Sequence, residues 1–120
     1  MKKVFLLSTL LVFMFSCSNS EKYQLISGSW KCNSWINEAS GIDKCNNNVR
    51  FDFNADKSYQ SILGKEKASG EYSIQDDLLY ITPEGKMEFA VKINKLNSDT
   101  LILLMNQAGN KEVLTLVRRE

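Results

Sequence analysis

Met87-Glu88-Phe89-Ala90-Val91-Lys92-Ile93 repeats with a period of two. That period puts Met87, Phe89, Val91 and Ile93 on one face and Glu88, Ala90 and Lys92 on the other, the pattern of a half-buried strand. Leu101, Leu103 and Met105 repeat it after the turn Asn97-Ser98-Asp99. Toward the N-terminus, Leu78 to Thr82 follows Gln75-Asp76-Asp77 and runs into Pro83-Glu84-Gly85, a turn with proline at its favoured corner. Gly70 to Ile74 carries Tyr72 and Ile74 on one side; Ser58 to Leu63 contains Tyr59 and precedes a charged turn, Gly64 to Lys67. Val49, Phe51 and Phe53 share a face, and Asn54-Ala55-Asp56-Lys57 reverses the chain. With Ser29 to Ile36 and Glu112 to Arg118, this makes about eight short strands joined by short loops. No segment after residue 16 carries a helical stripe, so the spacing predicts an antiparallel sandwich or an up-and-down barrel.

The N-terminus has a different character. Lys2 and Lys3 precede Val4 to Phe15, which is apolar except for Ser8 and Thr9, the layout of an export signal. As a helix, Val4 to Cys17 would be about 21 Å long at ~1.5 Å per residue, short of a hydrocarbon core of about 30 Å. Phe15-Ser16-Cys17 resembles the lipobox of bacterial lipoproteins, with Met14 in place of the usual leucine. The resemblance implies a signal peptide over residues 1–16, diacylation of Cys17, a polar tether over residues 17–24 and a domain over residues 25–120. Ser18 after the cysteine implies, by the enterobacterial sorting pattern, a lipid-anchored protein of the cell envelope at the outer membrane. Several acyl chains, at roughly 0.8 kcal/mol per buried methylene, would make the anchor essentially permanent.

Removing residues 1–16 takes Lys2 and Lys3 from fifteen basic residues and nothing from fourteen acidic ones, leaving thirteen against fourteen. That balance offers no footprint for nucleic acid. With Cys17 committed to lipid, Cys32 and Cys45 are expected to pair in an oxidising compartment. The bridge would stabilise the fold by about 3 kcal/mol on the loop-entropy argument, across a stretch rich in Asn33, Asn37, Gly41 and Asn46 to Asn48. The chain has no histidine, and the two thiols lack a second pair at zinc spacing, so no metal or other cofactor is expected.

Gly28-Ser29-Trp30 resembles the Gly-x-Trp signature of lipocalins. The run from Phe51 to Tyr59, then Gly70-Glu71-Tyr72, and the ending Leu116-Val117-Arg118 resemble the successive pieces of small bacterial lipocalin-like lipoproteins. Lys57 stands where that family's hairpin has glycine, which points to a turn of another type. The resemblance implies an all-β, eight-stranded antiparallel up-and-down barrel with short strands; a flattened barrel or β-sandwich is the alternative. It also implies that Trp30 plugs the closed end, with Arg118, rather than Arg119, across its ring.

Acid–base or nucleophilic catalysis near neutral pH usually recruits histidine. Asp76 with Asp77, and Glu84 with Glu88, read as solvated turn residues, so no enzyme is expected. An eight-stranded barrel either holds one small ligand or fills with its own side chains. Phe51, Phe53, Tyr59, Tyr72, Tyr80, Met87, Phe89 and Met105 are the candidate lining of a cup for a small apolar or amphipathic ligand, and equally a candidate core. The alternative is an interaction or inhibitor module that meets an envelope protein through its mouth loops, with Trp35 and Ile36 beside the cystine-bounded loop and Trp35 as its exposed aromatic. Asp99-Thr100-Leu101 resembles the O-glycosylation tripeptide of some bacterial groups, but a tripeptide at a turn carries little weight.

Overall fold

The computed structural model describes residues 20–45, 48–107 and 109–119. The signal segment, Cys17 and the first residues of the expected tether lie outside them. Among the described residues a short helix, α1 (20–26), precedes eight strands: β1 (Gly28–Asn37), β2 (Val49–Phe53), β3 (Ser58–Leu63), β4 (Glu66–Gln75), β5 (Leu78–Pro83), β6 (Phe89–Leu96), β7 (Thr100–Gln107) and β8 (Asn110–Arg118). Each strand pairs antiparallel with the next, and β8 returns to β1, so the sheet closes into an up-and-down barrel. The expected barrel is therefore present, and closure leaves no sheet edge unpaired.

Because the strands alternate in direction, the starts of β1, β3, β5 and β7 gather at one end with the turns at 54–57, 76–77 and 97–99. The described part of the loop after β1 (38–45), the connections at 64–65 and 84–88, and Gly109 gather at the other. The first end is closed. Trp30, Phe53, Leu101 and Leu116 are buried there, and Phe53 meets Tyr72 edge-on at 5.0 Å.

Trp30 is fully buried and donates from Nε1 to the Ile26 carbonyl at 2.8 Å. The Arg118 guanidinium carbon lies 3.9 Å from the centre of its ring, the stacked cation that the family likeness implied. The same guanidinium donates to the carbonyls of Ser27 at 2.8 Å, Leu25 at 2.6 Å and Ser98 at 3.1 Å. It thereby fixes α1, the start of β1 and the β6–β7 turn together. Gly28 is required beneath it: its φ is +128°, and a Cβ there would lie 2.6 Å from Arg118 Nη1.

Four differences from the sequence reading have physical causes. Residues 20–26, partly assigned to a polar tether and read as having no helical stripe, form α1. Only Tyr23 and Ile26 turn inward, too few for a visible period; Ile26 is fully buried and the Tyr23 hydroxyl accepts the Ile74 amide at 2.9 Å. β4 begins at Glu66 instead of Gly70, because Gly64, at φ +68°, lets a tight turn close the hairpin where both faces meet water. β6 begins at Phe89, not Met87, and continues past Ile93 through a bulge to Leu96. Lys57 takes a φ of +71°, so the turn keeps its glycine-type backbone with a lysine in place, and the Lys57 ammonium sits 4.9 Å from the Tyr23 ring centre.

Replacing Arg118 by methionine keeps the length but strands three carbonyls and removes the ring contact. It should lower unfolding free energy by about 2–4 kcal/mol in urea titrations, with Arg118→Lys recovering only a minor part because an ammonium lacks the planar fork.

Candidate functional site

At the open end the barrel interior is hollowed into a cup of about 230 Å³. Its shape follows from the register. Ser61 on β3 faces Ala68 on β4 directly, and both point inward. Two small side chains at that level leave space that the larger ones across the barrel, Leu103 and Met105 on β7 and Leu114 on β8, do not fill. Phe51, Trp35 and Phe89 complete an apolar wall. Tyr59 and Ser61 are buried at 3% and 6% exposure, and the exposed side chains of Glu66 and Lys86 stand near the opening.

The candidate lining residues separate into three groups. Phe51, Tyr59, Phe89 and Met105 line the cup. Phe53 and Tyr72 lie below it in the packed closed end, where the Tyr72 hydroxyl donates to the Asn54 carbonyl at 2.7 Å and burial pushes the phenol up. Tyr80 and Met87 do not line it. Tyr80 falls between the inward Leu79 and Ile81 and so faces outward, while Met87 lies in the β5–β6 loop, 88% exposed.

Trp35 also differs from its expected place as an exposed loop aromatic. It is on β1, partly buried against the core, and its Nε1 donates to Glu112 Oε1 at 3.2 Å. Trp30 and Trp35 are an odd number of residues apart and would face opposite sides of a regular strand. A bulge at Asn33, between Cys32 and Ser34 in the pairing with β8, turns both inward. Ser61 is not among the residues the sequence singles out, although its parity with Tyr59 puts it on the inward face; the inward turn of Trp35 has no such signal, because a bulge leaves no mark on alternation.

The cystine-bounded loop is folded onto the mouth. Cys32 and Cys45 form a disulfide, as expected. Lys44 N donates to the Trp35 carbonyl at 2.7 Å, and the Asp43 carboxylate accepts the amides of Trp35 and Cys45, each at 2.9 Å. Those two amides hold the Asp43 carboxyl below the usual range. The arrangement brings the Lys44 ammonium to 2.5 Å from Glu112 Oε2 and over the Trp35 ring. Glu112, an inward glutamate at the rim, is 6% exposed. The Lys44 ammonium beside it, with hydrogen bonds from Trp35 and Asn37, holds its carboxyl below the ordinary value of about 4.5 despite the opposing effect of burial.

The fold and site together define a small closed antiparallel barrel, plugged at one end by a tryptophan under an arginine and open at the other as an apolar cup. The lipocalin-like domain family matches residues 26–103, and the chain belongs to that family. A lipocalin-like protein from Bacteroides uniformis ATCC 8492 shares the fold at a TM-score of 0.60 and 17% identity, over 78% of this chain and 98% of that one. An uncharacterized protein from Bacteroides eggerthii DSM 20697 does so at a TM-score of 0.63 and 16% identity, over 78% and 99%. No curated protein matches the chain.

Since the Glu112 carboxyl binds protons less readily folded than unfolded, its ion pair stabilises the barrel fully above about pH 4.5 and loses that contribution as pH falls through the lower folded value. The stability gap between the native protein and Glu112→Gln should therefore narrow in denaturant titrations stepped from pH 6 to pH 3. A gap that stays constant would show that the carboxylate charge contributes nothing.

Proposed function

We propose that this protein is a non-enzymatic lipoprotein of the bacterial envelope, anchored through Cys17, that holds a small apolar or amphipathic molecule in the cup. The observation that carries the ligand reading is the cup itself, an apolar cavity of about 230 Å³ open at one end of an otherwise packed barrel. Family membership is consistent with it, and because one fold hosts many functions the site's own lining carries the weight. Pockets for drug-sized ligands run to about 300–1,000 Å³. This cup suits a compact molecule, or the end of a longer one whose remainder stays in solvent. The anchoring reading rests on Lys2-Lys3, the apolar run after them and the lipobox-like Phe15-Ser16-Cys17.

A second reading draws on the rim. Ile42 at 62%, Met87 at 88% and Phe89 at 46% exposure place apolar groups around the opening, where an envelope protein could dock. The two readings separate by substitution: Ile42→Ser with Met87→Ser strips the rim and leaves the cup lining intact, whereas Ala68→Leu blocks the cup and leaves the rim.

Native mass spectrometry of the protein recovered from its membrane should show a bound small molecule that Ala68→Leu abolishes and Ile42→Ser/Met87→Ser retains. A co-purifying envelope protein lost in Ile42→Ser/Met87→Ser and retained in Ala68→Leu would favour the rim. Metabolic labelling with a fatty-acid analogue should mark the native chain and not Cys17→Ala; an unlabelled native chain would end the anchoring proposal.

A further inference from the structure

We infer that the molecule the cup takes is small and neutral and carries a hydrogen-bonding group at its buried end, received by the hydroxyls of Tyr59 and Ser61; this rests on the cup reading above. Both residues line the cup and both are more than nine-tenths buried. Neither hydroxyl is among the barrel's sealed, unpartnered atoms, so both remain open to the contents of the cup. Elsewhere among the described residues of the barrel Arg50 Nε is buried without a partner and Glu112 Oε2 is met by the Lys44 ammonium, while the buried ring donors and the Tyr72 hydroxyl are bonded. Tyr72 donates to Asn54, Trp30 to Ile26 and Trp35 to Glu112.

A side chain chosen only for packing at position 61 would be apolar, as Phe51 is beside it on β2, whereas a hydroxyl facing the open cup exchanges water for a polar group of an occupant. Two such hydroxyls, two residues apart on one inward face of β3, form a polar spot in an apolar wall. They offer both donor and acceptor capacity. Burial pushes the Tyr59 phenol up, so it remains a neutral donor.

Charge selects further. Glu112 is already paired with Lys44, and Glu66 and Lys86 near the opening are exposed and opposite in sign. No cation among the described lining residues reaches the depth of Ser61, so a carboxylate inserted there would be buried without a counter-charge. Size selects as well. At ~30 Å³ for each water-sized volume, the cup accommodates roughly seven or eight non-hydrogen atoms. A substituted phenol, a short ketone or a similar compact neutral molecule meets all three requirements.

The test uses the full processed chain in phospholipid nanodiscs, with protein-free nanodiscs as the blank, titrated calorimetrically with p-cresol, p-xylene and benzoate. The first two share shape and size and differ in one hydroxyl; benzoate adds a charge. The inference expects p-cresol to bind at least ten-fold tighter than p-xylene, with benzoate weakest. It also expects the preference to vanish in Tyr59→Phe/Ser61→Ala, two substitutions that remove single oxygens and should leave the thermal midpoint unchanged or higher. Equal binding of p-cresol and p-xylene to the native protein would overturn the inference and leave the cup reading standing, as would tightest binding of benzoate. A preference that persists in the double variant would overturn it too. Absence of binding by all three probes would overturn both the inference and the cup reading.

Discussion

One guanidinium seals the lower end of the barrel. Arg118 comes from the last residue of the last strand, yet it stacks on the tryptophan of the first strand and donates to carbonyls on α1, on the segment entering β1 and on the β6–β7 turn. These groups come together only when β8 has paired with β1, so the contact forms with barrel closure and not before it. Gly28 leaves the room in which the guanidinium lies. The rest of the structure depends on this seal, because a barrel packed at one end can remain hollow at the other without losing its core.

The hollow end is made by side-chain size. Across β3 and β4 the inward pair is Ser61 and Ala68, while one step deeper Tyr59 lies opposite Gly70. Gly70 is itself compelled, since a Cβ there would lie 2.1 Å from the Thr82 carbonyl oxygen on β5. Where β4 and β5 approach so closely, bulk must come from β3, and Tyr59 supplies it. One level higher no such aromatic appears, and the cup begins. Stability and hollowness are thus assigned to different levels of the same two strands.

Much of this was legible in the sequence. Alternation in Val49, Phe51, Phe53 and in Met87 to Ile93 gave the strand class, and the order of short motifs gave the barrel, because side-chain parity survives in a linear chain. Trp30 and Arg118 were legible through the family likeness. What escaped were the places where parity breaks or is never established. Bulges at Asn33 and Asn94 each insert one residue and reverse the faces that follow, which hid the inward turn of Trp35. Tyr80 misled for the opposite reason: an aromatic in a strand looks like core, but its neighbours Leu79 and Ile81 hold the inward positions. α1 offered only two inward residues. Ser61 and Ala68 were unremarkable as residue types, and their importance lies in what they fail to fill.

The position of α1 has a bearing on orientation. It packs under the closed end, and only three peptide units separate Cys17 from Ser20, a reach of at most about 11 Å. Under the anchoring proposed above, the plugged end would hang next to the bilayer that carries the acyl chains, and the cup would open on the far side, about 20 Å away for strands of this length and the usual tilt. Cargo would then enter from the aqueous compartment and not by sliding up from the lipid below. The protein would work as a tethered vessel held upright, its traffic set by what diffuses past its mouth.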